Sequence, residues 1–253
     1  MANPLDMQGR MVLVTGASSG IGREIAILLS ELNARVALSG RSRERLEETL
    51  GRMSGEDHRI EPFDLNETDA IPDWIKRIAT ETGPLGGLVH SAGVVTTIPV
   101  QAASTARIES LMRTNVTSAM MLVKGFRRTG CAQRGGGIVL VSSVMGIAGS
   151  PGLSIYSASK AALIGFTRSA ALEMAASGLR INCVAPGTVE TEMTRRAREM
   201  TQTQEQYELM KSKHPLGFGD PRDVAYAAAF LLAETGRWIT GTTLIVDGGY
   251  SAA

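Results

Sequence analysis

The opening residues of the chain read as a strand, a glycine-rich turn and a helix, and this order restricts the fold more than any other feature of the sequence. Residues 11–15 are an apolar run bounded by glycines, which is typical of a buried parallel strand. Residues 23–32 carry apolar side chains at helical spacing. Between them, the segment Thr-Gly-Ala-Ser-Ser-Gly-Ile-Gly at 15–22 places glycines where the strand passes into the helix. This context predicts a turn whose free N–H groups bind a phosphate.

The three glycines of this turn have separate predicted roles. Gly16 permits the tight turn, Gly20 lets a ligand approach the backbone, and Gly22 lets the helix pack on the strand. Their spacing, G-x-x-x-G-x-G, differs from the G-x-G-x-x-G of the common dinucleotide-binding turn, and no Gly-Lys-Ser/Thr of a P-loop follows. The turn is predicted to contact a dinucleotide cofactor through Gly16, Ser18, Ser19, Gly20, Ile21 and Gly22.

Apolar runs and helical patterns alternate through the rest of the chain. The runs predict further strands at 34–39, 58–65, 86–93, 138–141, 179–184 and 242–246. Helical spacing is found at 42–53, 67–82, 105–128, around Tyr156 and at 221–233. This alternation predicts an α/β fold with a mostly parallel seven-stranded sheet and helices on both faces. Without a repeat, a linker or a break in composition, residues 1–253 are predicted to form one domain, in which the polar segment 191–214 is a lid over the site.

Composition excludes several classes of function. The net charge of +1, without a basic run interleaved with aromatic residues, argues against a nucleic-acid-binding surface. No apolar run is long enough to cross a bilayer, and residues 1–10 lack the apolar region of an export signal. Cys131 and Cys183 have no metal-ligand spacing and read as reduced thiols in or near the core. The protein is therefore expected to be cytoplasmic, without a metal and without a membrane partner.

The end of the second predicted strand indicates which cofactor binds. An acidic residue there would accept hydrogen bonds from the ribose hydroxyls and repel a 2′-phosphate. Residues 37–40 contain none, and Arg41 and Ser42 follow instead, with Arg43 close by. Since a guanidinium can bind phosphate through two hydrogen bonds, NADP(H) is favoured over NAD(H). The alternative is that the two arginines only begin a solvated helix.

The ends of the next two strands are predicted to line the same cofactor. Asp64 and Leu65 end the third strand and would lie near the adenine. Ala92 and Gly93 follow the fourth strand, where small residues let a flat ligand lie across the sheet edge. His90, at the end of that strand, is expected to be a hydrogen-bonded structural group rather than a base or a metal ligand.

The segment 154–162 indicates the chemistry. Tyr156 and Lys160 stand four residues apart, on one face of a helix. An ammonium beside a phenol stabilises the phenolate, so the pKa of Tyr156 is expected to fall from about 10 towards working pH, where a phenol can act as a general acid or base. The alternative is a helical pair without function, since i,i+4 pairs are common.

Asn115, an unfavourable residue in mid-helix, is predicted to lie either on the surface or along a cleft.

With these residues assembled, the chain resembles the short-chain dehydrogenase/reductase family over nearly its whole length. The family's motifs occur in its order and approximate spacing at 15–22, Asp64, Asn115, Ser143, Tyr156, Lys160, Pro186 and Gly187. The stretches 186–194 and 241–249 are most similar to the 3-oxoacyl-[acyl-carrier-protein] reductase type. The resemblance implies a Rossmann-type doubly wound fold and an NADP(H)-dependent oxidoreductase that transfers hydride between nicotinamide and a ketone or secondary alcohol. It also implies a homotetramer.

The resemblance further implies a role for each catalytic residue. Tyr156 would give a proton to the substrate carbonyl as hydride arrives, or take one in the reverse direction. Lys160 would lower the pKa of Tyr156 and bind the nicotinamide ribose, while Ser143 would stabilise the developing alkoxide. Asn115 would help hold a water that links Lys160 to solvent. Further cofactor contacts are implied at Pro186 and Gly187, and at the carboxamide for Val189 and Thr191.

Two departures from the family pattern bear on function. Where the family has Asn-Asn-Ala-Gly, this chain has His-Ser-Ala-Gly at 90–93, so His90 is expected to replace the first Asn with one donor and one acceptor. Carrier-protein reductases have basic residues beside the cleft, and Arg134 matches one such position while Ser177 occupies the other. The expected substrate is therefore either a 3-oxoacyl group on acyl carrier protein or a free small ketone, sugar or alcohol. A catalytically silent nucleotide-binding protein is the third alternative, and the intact catalytic residues argue against it.

Overall fold

The structure is a computed structural model that describes residues 3–192, 194–195 and 203–252 of the chain. Its strands are β1 (Met11–Thr15), β2 (Arg35–Gly40), β3 (Arg59–Pro62), β4 (Leu85–His90), β5 (Ala132–Val141), β6 (Arg180–Pro186) and β7 (Thr243–Val246). Its α-helices are α1 (Gly20–Glu31), α2 (Arg43–Leu50), α3 (Ile71–Thr82), α4 (Thr105–Met112), α5 (Ser118–Arg127), α6 (Ser154–Ala175), α7 (Gln204–Ser212) and α8 (Pro221–Leu232). The seven described strands form one sheet in the order β3-β2-β1-β4-β5-β6-β7, and every pair is parallel.

Helices cover both faces of the sheet because successive strand residues point to opposite sides. Leu13 and Leu88 belong to one apolar core, which packs under α3, α5 and α6. Val12 and Val89 belong to a second core on the other face, which packs under α1 and α8. The predicted Rossmann-type doubly wound fold is confirmed.

The strand order places a crevice at one edge of the sheet. β1 pairs with β2 on one side and with β4 on the other, so the connections diverge between β1 and β4. In open parallel sheets, ligands bind at the carboxyl ends of the strands at such a point. Thr15, His90 and Leu140 are in register at this edge, where β1, β4 and β5 pass into the loops of the site.

Several element boundaries differ from the sequence prediction, and two of these differences have a structural cause. β5 begins at Ala132 rather than at 138, because the glycines 135–137 continue the strand and Gly137 pairs with Gly87 of β4 and Arg180 of β6. The single helix predicted over 105–128 is interrupted between α4 and α5 by a π-helical turn at Arg113–Thr117. Such turns occur frequently at functional sites, and this one contains Asn115.

The predicted lid at 191–214 is described only in part. Its residues 193 and 196–202 lie outside the described residues, and its later part forms α7. None of the described helices combines the length and the apolar character needed to cross a membrane.

Candidate active site

A cleft of about 1360 Å³ lies at the carboxyl ends of β1, β2, β4, β5 and β6. It brings together residues from most of the length of the chain. All of the predicted site residues line it except Ser42 and Asn115, that is, Gly16, Ser18, Ser19, Gly20, Ile21, Gly22, Arg41, Asp64, Leu65, Ala92, Gly93, Ser143, Tyr156, Lys160, Pro186, Gly187, Val189 and Thr191.

The glycine-rich turn packs too closely for side chains. Gly16 has φ +72°, and a Cβ on it would lie 2.7 Å from the Ala92 backbone nitrogen. A Cβ on Gly22 would overlap the Gly16 carbonyl oxygen. These contacts hold the start of α1 against the end of β1 and against the loop after β4, as the separate glycine roles predicted.

The N-terminus of α1 is open to the cleft. Ser42, Asp220 and Ser104 each accept a backbone hydrogen bond at the start of α2, α8 and α4, whereas Ser19 makes no such side-chain bond at the start of α1. The first N–H groups of a helix have no partner within it. A phosphate at this end of α1 would therefore meet free donors and the positive end of the helix dipole.

The arginine cluster beside β2 differs from the prediction at one residue. The Ser42 hydroxyl accepts the Arg45 backbone N–H at 3.3 Å and donates to Glu44 at 2.8 Å, so it caps α2 instead of lining the cleft. Arg45 lines the cleft beside Arg41. Sequence reasoning missed Arg45. Its position, four residues after Arg41 and at the start of a predicted helix, could have indicated it.

The cleft suits an anionic ligand and offers groups that would hold a dinucleotide. Neither Arg41 nor Arg45 has a carboxylate partner among the described residues. The Ser39 hydroxyl, at the end of β2, is buried in the cleft wall without a hydrogen-bond partner in the described chain. Among the described residues, the charged side chains along the cleft are the cations Arg41, Arg45, Lys160 and Arg195 and the anions Asp64 and Glu190. With the open helix N-terminus, these groups fit a phosphorylated dinucleotide.

Tyr156, Lys160 and Ser143 meet where α6 packs against the end of β5. The Lys160 ammonium lies 5.7 Å from the centroid of the Tyr156 ring, on the same face of α6. It donates a hydrogen bond of 2.9 Å to the Val141 carbonyl oxygen. The Ser142 hydroxyl donates to the Lys160 carbonyl oxygen at 2.8 Å, which ties α6 to the strand end. The Ser143 hydroxyl accepts the Met145 backbone N–H at 3.2 Å and lies beside the Tyr156 phenol in the cleft.

Burial governs the ionisation of Tyr156 and Lys160. Burial raises the pKa of Tyr156 above its usual value, and the interaction with Ser143 offsets only part of that rise. It also lowers the pKa of Lys160 to about 8. The predicted fall in the Tyr156 pKa was therefore wrong, because desolvation of the phenolate is the largest effect on this group and raises its pKa. Tyr156 is a neutral phenol at pH 7 and can give up a proton.

Asn115 lies behind the cleft, not along it or on the surface. Its Oδ1 accepts the Val94 backbone N–H at 2.9 Å, and its Nδ2 donates to the Val94 carbonyl oxygen at 2.9 Å and to the Ser159 hydroxyl at 3.1 Å. A Cβ on Gly93 would lie 3.3 Å from Asn115 Oδ1 and 3.4 Å from Lys160 Nζ. The Asn115 side chain thus fixes the loop after β4 against α6.

His90 is a buried structural group, as expected, but its Nε2 has no hydrogen-bond partner in the described chain, so the expectation of one donor and one acceptor was wrong. Its Nδ1 lies 2.8 Å from the Thr15 hydroxyl, which links β4 to β1. Burial, with a further contribution from the charge of Lys160, lowers the pKa of His90 to about 3. The ring is therefore neutral and does not line the cleft.

The outer part of the cleft has an apolar wall that sequence reasoning missed. Val94 and Val95 are 40% and 44% exposed along it, although both are aliphatic. Met210 and Phe218 also line the cleft, together with Tyr207, whose ring meets Phe218 edge-on at 5.4 Å. The Tyr207 hydroxyl donates to Glu190 at 3.3 Å. No local pattern marks these residues, because they converge from the loop after β4 and the segment around α7.

The fold and site define an oxidoreductase of the short-chain dehydrogenase/reductase class, with Tyr156, Lys160 and Ser143 placed beside a dinucleotide crevice. Residues 16–251 match the family model described as enoyl-(acyl carrier protein) reductase. A 3-oxoacyl-[acyl-carrier-protein] reductase of Rickettsia prowazekii (strain Madrid E) is 37% identical over 246 residues, which cover 97% of this chain and 98% of that protein.

Solved structures agree with this assignment. A dehydrogenase/reductase from Sinorhizobium meliloti 1021 superposes with a TM-score of 0.88 at 29% identity, covering 98% of this chain and 97% of that one. A crystal structure from Agrobacterium tumefaciens with bound NADP superposes with a TM-score of 0.89 at 28% identity and covers both chains completely (100%). The chain belongs to the short-chain dehydrogenase/reductase family, and its predicted similarity to 3-oxoacyl-[acyl-carrier-protein] reductases is confirmed.

Proposed function

We propose that the protein is an NADPH-dependent reductase of ketones that also oxidises the corresponding secondary alcohols. The observation that carries this proposal is the Tyr156 phenol, which lies beside Ser143 and Lys160 in a cleft whose other end is the glycine-rich turn before α1. A bound nicotinamide would supply the hydride. Among this chain's own residues, Tyr156 gives the proton from its hydroxyl to the carbonyl oxygen as negative charge develops there.

The other residues support that proton transfer. The Ser143 hydroxyl stabilises the developing alkoxide and orients the carbonyl towards Tyr156. The Lys160 ammonium stabilises the phenolate that remains after transfer, since a cation favours the charged form of a neighbouring phenol. The Asn115 side chain holds the loop on which Gly93 faces Lys160, so it acts as a positioning residue. Val189 and Thr191 would hold the carboxamide, and the segment 191–214 would cover the substrate.

The preference for NADP(H) is supported by Arg41, Arg45 and the unpartnered Ser39 hydroxyl at the end of β2. Two guanidinium groups without carboxylate partners in the described chain suit a 2′-phosphate, which an acidic residue at this position would repel. The Agrobacterium tumefaciens structure, which contains NADP, is consistent with this preference.

The substrate is proposed to be a 3-oxoacyl thioester, because the curated relatives are 3-oxoacyl-[acyl-carrier-protein] reductases. One observation favours a free small ketone instead. Arg134, the basic residue expected beside the cleft, packs against Gly178 at the end of the sheet where β5 and β6 begin. Arg134 therefore does not lie at the mouth of the cleft in this chain. The protein is also proposed to be cytoplasmic and to form a homotetramer, as the family resemblance implies for the oligomeric state.

The test measures the rate of NADPH oxidation with each of a panel of ketones, monitored by the absorbance of NADPH. Tyr156→Phe removes the proton donor and should lower kcat/KM by about 10²–10⁴-fold. Tyr207→Phe is the matched control, since it removes a hydroxyl from another tyrosine of the same cleft and should keep most of the rate. Full activity of Tyr156→Phe would refute the assignment of the proton donor.

The two substrate classes are separated by presenting one 3-oxoacyl group on acyl carrier protein and on N-acetylcysteamine. A carrier-protein reductase should show a much higher kcat/KM for the protein-bound form. Equal values for the two thioesters, with faster reduction of simple ketones, would favour the free-ketone alternative.

A further inference from the structure

His214 lies just outside the cleft and connects two segments that line it. Its Nε2 is 3.1 Å from the Thr188 backbone nitrogen, and its Nδ1 is 3.0 Å from the Met210 carbonyl oxygen. Because a carbonyl oxygen only accepts, Nδ1 carries the ring proton and Nε2 accepts the Thr188 N–H. The residue is only 4% exposed, and its ring packs edge-on against Phe218, with centroids 5.1 Å apart, and at a tilt of 39° against Tyr250, with centroids 4.9 Å apart. Packing and both hydrogen bonds therefore fix the ring orientation.

Thr188 belongs to the segment that the proposed function places at the nicotinamide carboxamide. On either side of it, the Gly187 N–H donates to Val246 at 3.0 Å and the Glu190 N–H donates to Gly219 at 2.9 Å. The Thr188 carbonyl oxygen accepts the Gly219 N–H at 3.0 Å. His214 completes this set of bonds by holding the Thr188 N–H, so both peptide groups of Thr188 are fixed.

We infer that His214 is a positioning residue for the nicotinamide end of the cofactor site: its Nε2 holds the Thr188 N–H and so fixes the segment 188–191 in the cleft wall. This inference rests on the proposed function, because it assumes that the segment receives the carboxamide. His214 does not line the cleft and acts only through Thr188. The adenosine end of the cleft, at Arg41 and Arg45, is formed by other elements and does not depend on His214.

Two amide substitutions separate the two hydrogen bonds of the ring. In His214→Gln the terminal amide reaches the position of Nε2 and can accept the Thr188 N–H. In His214→Asn the amide reaches only the position of Nδ1, so it can still donate to Met210 but leaves the Thr188 N–H without its acceptor. Both variants introduce the same functional group and remove the same aromatic packing, so each is a control for the other.

The experiment measures equilibrium binding of NADPH and of 2′,5′-ADP, which carries the adenosine bisphosphate end but no nicotinamide. His214→Asn should weaken NADPH binding by about tenfold, since an unsatisfied buried N–H is costly, and His214→Gln should bind within about threefold of the wild type. Binding of 2′,5′-ADP should change by less than about twofold in both variants, since no bond to this half is lost. Melting temperatures establish that each variant is folded.

His58 provides a second control at the opposite end of the sheet. Its Nδ1 accepts the Val36 N–H at 3.1 Å and its Nε2 lies 2.8 Å from the Ser54 carbonyl oxygen, so it bridges two backbone groups as His214 does. His58→Asn and His58→Gln should bind both ligands as the wild type does.

The inference is overturned if the Asn and Gln variants of His214 bind NADPH equally well, or if NADPH and 2′,5′-ADP binding weaken in parallel. Wild-type protein that bound neither ligand would refute the proposed function and the inference together. Wild-type binding of NADPH with no difference between the variants would refute the inference alone.

Discussion

The burial of the Lys160 ammonium costs stability, and replacing this residue with methionine tests the size of that cost. The residue is 6% exposed, and burial lowers the pKa of its ammonium from 10.5 to about 8. Because the folded value lies below the unfolded one, the unfolded chain binds more protons between these two pH values. The wild-type protein should therefore gain stability as the pH rises from about 8 to about 10.5.

The expected magnitude follows from that shift. At pH 7 the buried charge disfavours folding by about 3 kcal/mol, and at pH 10 by only about 1 kcal/mol. Lys160→Met removes this penalty, but it also removes the hydrogen bond to the Val141 carbonyl oxygen, which costs about 1–2 kcal/mol. The variant should therefore be more stable than the wild type by about 1–2 kcal/mol at pH 7 and slightly less stable at pH 10.

The assay is urea unfolding of the protein without cofactor at pH 7 and pH 10. A gain of about 1–2 kcal/mol at pH 7 corresponds to a rise in Tm of about 2–8 °C for a chain of this size. Lys213→Met, at an exposed position, is the control and should change stability by less than about 0.5 kcal/mol at either pH. A Lys160→Met variant that is less stable than the wild type at pH 7, or a difference that does not change with pH, would refute the reasoning.

Three further predictions concern the cofactor, the pH dependence and the fold. Arg41→Asp should raise the Kd for NADPH by on the order of tenfold to a hundredfold and weaken NADH binding far less; an unchanged ratio of the two Kd values would dismiss Arg41 as the discriminating residue. The value of kcat/KM for NADPH in ketone reduction should be level below pH 8 and fall above it. The reason is that the pKa of Lys160 is about 8, so its cation is lost as the pH rises through that value. A value of kcat/KM that stayed level up to pH 9.5 would contradict this. Arg180→Met should destabilise the protein by about 3 kcal/mol or more, because the buried guanidinium donates to the Leu231 carbonyl oxygen in the last turn of α8 at 2.5 Å and to the Gly236 carbonyl oxygen beyond that helix at 2.8 Å. The exposed Arg134→Met is its control, and equal melting temperatures of these two variants would argue against the role of Arg180.

Several features of the fold and site could be predicted because they depend on residues close together in the chain. The apolar run at 11–15 and the glycines after it predict a strand, a turn and a helix, and the structure has them as β1 and α1. The spacing of Tyr156 and Lys160 predicts one helical face, and α6 presents both to the cleft. In each case, the period of a helix or strand is enough to place the side chains.

Other features depend on which elements pack together. The glycines 135–137 look like a break in the sequence, yet they extend β5 because Gly137 has partners on both neighbouring strands. Asn115 is held by the Val94 backbone, and His214 by Thr188 and Met210, contacts that no local pattern encodes. Hydrogen bonds between distant segments can be assigned only when the backbone positions are known.

The sequence by itself determined the alternation of strands and helices, the glycine-rich turn and the pairing of Tyr156 with Lys160 on one helical face, because each of these depends on local spacing. Only the tertiary structure decided how those side chains ionise. An ammonium four residues from a phenol predicts a lowered Tyr156 pKa, whereas packing of α6 against β5 buries both groups, raising the pKa of Tyr156 and lowering that of Lys160. Desolvation depends on every atom that surrounds a group in space, and most of those atoms belong to residues far away along the chain.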